Sequence, residues 1–394
     1  MTTCDVLIVG GGPAGSACAW KLRRAGVEVV VWDRRTFPRE KICAGWITPQ
    51  ILAELDLDPG TYAAAGLTIQ PIHGFCISRM GDAESRIHYG SPISYAIRRC
   101  EFDHYLLRRC GAQLRLGQPI NSLRRLDDGW VLNDTLRAKM LVGAGGHFCP
   151  VAQLLGAHLG AAEPIIAAQE AEFDLTPQHR RQCPVEPEMP EIFFTRDLKG
   201  YGWVVRKGPY INIGLGRQDT HHLSEHVAHF VQFLEQRGRI PLGLAARFRG
   251  HPYLLYGEAE RPLVDEAAVV IGDAAGLAYA RSGEGIRPAV ESGLLAAQAI
   301  LEADGRYTRE CLAAYEQRVI ARFGPRQKKW GVTDVLPAWL AGAMAGRLFG
   351  SAGFAKRVVL DRWFLHLHQP ALEERPAARI TSEDVHLKRH SVTV

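Results

Sequence analysis

The chain has 394 residues, 47% of them apolar, and a formal net charge of +5 at neutral pH. That length fits two interleaved lobes and a tail better than one small domain or three, and the apolar content is ample for a core. The positive charge is scattered without a block of like charges, which argues against a dedicated nucleic-acid binder and leaves only a modest attraction to anionic membranes open.

Met1 to Gly11 carry no basic segment ahead of their short apolar run, and the run ends in glycines. It reads as a strand and not as a secretory signal, which points to a cytoplasmic protein. Val6 to Val9 predict a buried strand, Gly10-x-Gly12-x-x-Gly15 a tight turn, Ala14 to Ala25 a helix preceded by Pro13, and Val27 to Trp32 a second strand ending at Asp33. Together they make a βαβ unit of dinucleotide-binding type. Gly10 permits the turn, Gly12 lets the backbone approach a pyrophosphate, and Gly15 lets helix and strand pack closely. The helix N-terminus offers unpaired N–H groups and a positive dipole end to the phosphates. Asp33 is placed to bond ribose hydroxyls, with Arg34 beside it.

Nine cysteines are an odd number, and none has C-x-x-C spacing, so neither a disulfide framework nor a zinc site is expected. Most read as small buried hydrophobes. Cys43 differs, because it sits in Lys41-Ile42-Cys43-Ala44-Gly45-Trp46. Ala44 and Gly45 let the backbone approach a flat aromatic ring, and a thiol beside that ring could position a substrate or donate a proton. The plain alternatives are a packed thiol at Cys43 and a solvated charge at Lys41. Trp46, and further on Tyr201 and Trp203, are expected to shape an apolar pocket.

Arg99-x-x-Phe102-Asp103-x-x-Leu106 heads a helix. Strand signals follow at Glu191 to Thr195, Tyr201 to Val205 and Ile211 to Gly216. His221-His222-x-x-Glu225-His226-x-x-His229 would bring three imidazoles to one helix face, but their alternation with Leu223, Val227 and Phe230 is that of an amphipathic helix with a solvated side, and no metal is assigned. Val269 to Ile271 predict another buried strand, running into the Gly272-Asp273 turn. Ser282-Gly283-Glu284-Gly285-Ile286 then opens a helix over Arg287 to Glu302. Glu284 and Arg287 are expected in its first turn, within reach of a substrate.

Beyond it, Val335 to Phe349 and Phe354 to Leu367 are apolar helical segments broken by glycines, and no apolar run reaches the ~20 residues of a membrane span. They cap the core or a hydrophobic channel, or rest on a membrane surface. From Gln369 to Val394 the composition turns polar and predicts disorder. The cofactor domain is expected at 1–70, 95–158 and 263–305, a substrate domain at 71–94 and 159–262, and C-terminal helices with a polar tail at 306–394.

The Gly10 to Gly15 turn, the Arg99 motif and the Gly272-Asp273 turn resemble, in that order and spacing, the para-hydroxybenzoate hydroxylase superfamily of FAD enzymes. Lys41-x-Cys43-Ala44-Gly45 and Tyr201-x-Trp203 are similar to the K-x-C-G-G and Y-x-W-x-F-P motifs of its geranylgeranyl reductase branch, over roughly residues 4 to 305. Val205 and Arg206 replace the Phe and Pro, and Gly145 replaces the aspartate of the superfamily's G-A-D-G motif. The resemblance implies an α/β fold: a Rossmann-like FAD-binding domain, an interleaved mixed β-sheet substrate domain and a C-terminal helical region. It also implies FAD held by Gly10, Gly12, Pro13, Ala14, Gly15, Asp33, Arg34, Cys43, Ala44, Gly45, Arg99, Gly272, Asp273, Gly283, Gly285 and Ile286.

In that setting Cys43 and Lys41 are the catalytic candidates, and Trp46, Tyr201, Trp203 and Glu284 would meet substrate. The helix opened at Gly285 would aim its dipole at the flavin N1 and C2 carbonyl, where reduction leaves negative charge. The expected activity is reduction of carbon–carbon double bonds in an apolar, isoprenoid or lipid-like substrate. No second G-x-G-x-x-G unit is present for a resident nicotinamide, so NAD(P)H docking transiently or a protein donor would supply electrons. The rival readings are a monooxygenase, a halogenase, whose W-x-W-x-I-P motif is absent, and a non-catalytic flavin- or lipid-binding protein.

Overall fold

The computed structural model describes residues 1–158, 163, 165–218, 221–240, 247–258, 261–326 and 351–373. Its first sheet grows from the apolar runs that open and close the cofactor-binding stretches. Thr2–Val9 lies between Val29–Asp33 and Leu136–Gly143, and Gln113–Leu116 and Ala268–Val270 extend the sheet outward, all in parallel. Val6, Leu7, Ile8, Val142 and Val269 are fully buried, as strands covered on both faces must be. An antiparallel hairpin, Leu123–Leu126 with Gly129–Leu132, and the short strand Val264–Asp265 complete it.

Two helices lie together against this sheet: Pro13–Arg24, which starts directly after the glycine turn, and Ile286–Ala303. Their contact is close because Gly293 has no side chain. A Cβ there would lie 2.3 Å from the Ala14 carbonyl oxygen.

The second sheet is mixed, in the order Arg249–Leu254, Ile165–Asp174, Tyr210–Arg217, Gly200–Lys207, Glu191–Phe194, Gly74–Arg79, Ser85–His88. All its pairings are antiparallel except Glu191–Phe194 with Gly74–Arg79. Strand alternation sorts its side chains. Val204, Ile211, Ile213 and Leu215 pack with the helix Leu223–Gln236, whereas Trp203 and Val205 belong to a separate cluster with Trp46, Phe75 and Phe194. A small third sheet, Trp46–Ile47, Ser94–Ile97 and Ile69–Ile72, links the two. The α/β architecture implied by the motifs, parallel nucleotide-type sheet plus mixed sheet, is therefore present.

Several expected boundaries shift. The second strand begins at Val29 because Val27 is still tied to Leu22 at the end of the helix, and it includes Asp33. The helix after Gly285 runs Ile286–Ala303, so Glu284 stands outside it and not in its first turn. Val335 to Phe349 lie outside the described residues. Ala352–Phe354 and the wider-wound turn Ala355–Phe364 cap the core, with Ala355, Val359, Leu360 and Phe364 buried in the same cluster as Trp46. Disorder from Gln369 onward is contradicted for 369–373: the carbonyls of Gln369 and Pro370 accept from Arg287, and Leu372 N donates to Glu54. Residues 374–394 lie outside the described residues. Among the described residues no helix is long and apolar enough to cross a membrane.

Substituting Gly293→Val drives a branched side chain into the Ala14 carbonyl. The expected cost is about 2–3 kcal/mol, read as a lower urea midpoint with an unchanged slope.

Candidate active site

The parallel strands end at a cleft of about 420 Å³ lined by both sheets. Gly10 takes φ +115°, and a Cβ there would lie 2.2 Å from the Ala144 carbonyl oxygen, so only glycine fits between the neighbouring strand ends. Asp33 is anchored by backbone: Gly11 N donates to its Oδ2 at 2.8 Å and Arg35 N to its Oδ1 at 2.8 Å. The carboxylate thus shapes the glycine turn as well as facing the cleft. Gly12 caps the helix Pro13–Arg24 with no side-chain acceptor, which leaves the first-turn amides available to an anion. Gly12, Pro13, Ala14 and exposed Arg34 line the cleft.

Gly15 and Gly272 do not. Gly15 sits where a Cβ would be 2.0 Å from the Gly10 carbonyl oxygen, and Gly272 N donates to Ser292 Oγ at 3.0 Å. Their part is to bring the surrounding elements close.

The Lys41 to Trp46 stretch crosses the cleft floor. Gly45 takes φ +67°, and a Cβ there would meet the Ile97 carbonyl oxygen at 2.4 Å and Lys207 Nζ at 2.8 Å. Its N–H donates to Cys43 Sγ at 3.4 Å. Arg99 is buried in a two-pronged pair with Asp103 at 2.7 and 2.9 Å. Arg39, which stands in the reductase-branch motif but was given no role there, stacks over Phe37 at 4.7 Å and reaches Asp103 at 3.4 Å, placing a cation over Gly12.

Lys41 is not a solvated charge, because its side chain is only 20% exposed and contacts His251 Nε2 at 2.5 Å and Asp273 at 3.7 Å. His251 lies 3.8 Å from Asp273. Burial lowers Lys41 from its usual basicity against the opposing pull of Asp273. Burial likewise lowers His251, aided by the Lys41 charge. Burial alone would raise Asp273, but His251 and Lys41 outweigh it and hold the carboxyl well below the usual range. Neither His251 nor Tyr253, which also lines the cleft, stands in a sequence motif.

Gly285 opens the second helix into the same cleft, and Asp273 Oδ1 is 3.1 Å from where its Cβ would be. Glu284 Oε1 accepts from Arg287 N at 2.7 Å, capping the helix from outside, and burial pushes its carboxyl up to about 7. Gly283, at φ +66°, leaves room for the Tyr253 hydroxyl, while Tyr201 donates to the Ser282 carbonyl. The aromatic wall follows: Tyr201 is 6.0 Å from Trp203 and 5.2 Å from Phe364, and Trp46 is 5.9 Å from Phe364.

Arg287 does not reach the cleft. It is buried against Glu291 and donates to the carbonyls of His366, Gln369 and Pro370. The histidines at 222, 226 and 229 lie on the outer side of their helix, and among the described residues no group of three His, Cys, Asp or Glu is placed to hold a metal.

Residues 8–39 match the model of the NAD(P)-binding Rossmann-like domain family. The chain is 31% identical over 323 residues to a menaquinone reductase of Mycolicibacterium smegmatis, covering 75% of this chain and 76% of that protein. It belongs to the geranylgeranyl reductase-like branch of the para-hydroxybenzoate hydroxylase superfamily. A digeranylgeranylglycerophospholipid reductase of Methanosphaera stadtmanae is a more distant relative, at 25% identity over 84% of this chain and 86% of that one. Among solved structures, a geranylgeranyl bacteriochlorophyll reductase-like protein of Thermoplasma acidophilum shares the fold with a TM-score of 0.69 at 22% identity, covering 88% of this chain and 89% of that one. A point mutant of the halogenase PltM, solved with FAD, shares it with a TM-score of 0.64 at 17% identity, covering 92% of this chain and 85% of that one.

As a member of this reductase branch the chain is an FAD-dependent oxidoreductase. Its site fits that cofactor. Two helix N-termini without side-chain caps from their own cap residues open into one cleft, glycines at 10, 12, 45 and 285 leave the backbone bare along it, and Arg39 stands over the turn that would take the pyrophosphate. Replacing Asp33 by Ala removes the acceptor that holds Gly11 N. FAD affinity is expected to fall about tenfold, measured by flavin fluorescence on titration.

Proposed function

We propose that this reductase-branch enzyme reduces a carbon–carbon double bond of an apolar, isoprenoid or lipid-like substrate. The observation that carries the reading is the inner end of the cleft, where Cys43, Glu284, Tyr201 and Tyr253 converge beside Trp46 and Trp203, with Phe364 packed behind them. The two relatives named as reductases of menaquinone and of a digeranylgeranyl phospholipid support a substrate of that class. FAD, when bound, supplies the hydride for one alkene carbon.

The chain's own groups do the rest. The amides at Gly285 and Ile286 sit where a helix dipole favours negative charge. Burial raises the Glu284 carboxyl to about 7, so near neutral pH a large share of it is protonated and can deliver that proton to the second carbon and recover one from solvent. Cys43 and the aromatic wall orient the chain of the substrate, and the cap over Ala355–Phe364 keeps water from the reacting end. Electrons arrive from NAD(P)H docking transiently or from a protein donor.

The test is anaerobic. Protein with reduced FAD is mixed with a geranylgeranyl lipid or with menaquinone, and flavin reoxidation is expected with a product that is two hydrogens heavier in its isoprenoid chain and stays so after any quinol is reoxidised. A flavin that stays reduced until oxygen is admitted, with an oxygenated product, would instead mark a monooxygenase. Because Glu284 must be protonated to act, turnover is expected to fall as pH rises through about 7. Glu284→Gln should lower kcat on the order of 10²-fold and flatten that limb, checked by pH profiles of single-turnover rates.

A further inference from the structure

The face of the second sheet that meets the cofactor loops carries charge where a core would be apolar. Glu170 and Glu172 are two apart on one strand and so point the same way, toward Asn212, Trp203 and Lys207 of the neighbouring strands. Glu170, Asn212, Trp203 and Lys207 are all buried. Trp203 Nε1 donates to Asn212 Oδ1 at 2.7 Å, which fixes the amide so that its Nδ2 faces Glu170 Oε2 at 3.0 Å and the Cys43 carbonyl at 3.4 Å. Lys207 Nζ donates to Glu172 Oε2 at 2.7 Å directly behind Gly45, and Arg98 reaches Glu172 from the other side at 2.9 Å while pairing with Glu101.

We propose that Glu170 and Asn212 are positioning residues that clamp the Cys43–Gly45 turn against the cofactor cleft, and that the clamp loosens when Glu170 takes up a proton. Charge balance supports this. The network holds two cations, Lys207 and Arg98, against three carboxylates, Glu101, Glu170 and Glu172. One acid is therefore in surplus. Lys207 and Arg98 outweigh the burial that would raise Glu172 and keep it ionised. Burial raises Glu170 to about 7 against the pull of Lys207, the Cys43 backbone and Asn212, with Glu172 pushing it further up.

From the edge strand, Arg249 stands opposite Glu170 in register but pairs with Glu40, and His251 pairs with Lys41 and Asp273. Neither neutralises the surplus acid. Above the pKa of Glu170 its carboxylate holds Asn212 in a charge-assisted hydrogen bond, and below it that bond weakens to a neutral one.

The inference takes from the proposed function only that Cys43 faces the cleft, and its test needs no substrate. Full-length, FAD-loaded protein is treated with iodoacetamide, and modification of Cys43 is timed by peptide mass spectrometry. At about pH 8, Glu170→Gln and Asn212→Ala are expected to speed alkylation about tenfold relative to the unmodified sequence. At about pH 6 the unmodified protein should approach Glu170→Gln, because both then lack the carboxylate, while Asn212→Ala stays fast. Asn212→Ala removes no charge, so its faster alkylation reports a loosened turn and not a change in the local field.

A Glu170→Gln to wild-type ratio that is the same at both pH values, in protein that keeps its flavin absorbance and melting temperature, overturns the proposal. If either variant does not fold, Trp203→Phe removes the N–H that orients Asn212, together with the indole's second ring, and keeps an aromatic side chain at that position. It should raise alkylation severalfold, and an unchanged rate counts against the clamp. Failure of alkene reduction leaves this result untouched, so the two readings fall separately.

Discussion

The structure depends on the contact between two helices that begin in the same place. Pro13–Arg24 and Ile286–Ala303 are more than 260 residues apart in the chain, yet Gly293 lets the second lie on the backbone of the first at Ala14. With that contact fixed, both N-termini open into one cleft and their dipoles add there. The glycine turn, Asp33 and the Gly272-Asp273 turn are arranged around this pair. Gly15 and Gly272 serve the packing, and Ala14 and Asp273 beside them line the cleft.

The second sheet meets this frame with a face divided by chemistry. Its outer side is apolar and packs on the helix Leu223–Gln236. Its inner side is aromatic near Trp203 and Tyr201 but ionic near Lys207 and Glu172, and the Cys43 turn lies where the two meet. Gly214 makes this arrangement possible, since a Cβ there would strike the Trp203 ring at 2.2 Å. The indole can then lie flat over the neighbouring strand and offer its N–H to Asn212.

The sequence made the frame legible because close backbone approach demands glycine at fixed intervals, and because apolar runs of strand length stand out around those glycines. It also marked Cys43, Trp46, Tyr201 and Trp203, which the fold brings to one cleft. What it did not mark are residues whose importance comes from strand alternation across distant segments. His251, Tyr253, Glu170 and Asn212 look like ordinary strand residues until the register sets them facing the Lys41 to Gly45 stretch. Glu284 and Arg287 lie three residues apart, and the sequence pattern treats them alike. The start of the helix separates them: one side chain turns back to cap it, and the other turns away into the core. Polar composition from Gln369 suggested a loose tail, since no pattern shows that buried Arg287 and Glu54 would capture its backbone.

The manner of that capture has its own consequence. Arg287 grips the cap at His366, Gln369 and Pro370 through main-chain oxygens, which every amino acid supplies. The anchoring is thus indifferent to which residues the roof of the cleft contains. Which side chain stands at 364 is set instead by what it packs against, Trp46, Phe194 and Tyr201, so the fit of the cap and its attachment are decided by different residues.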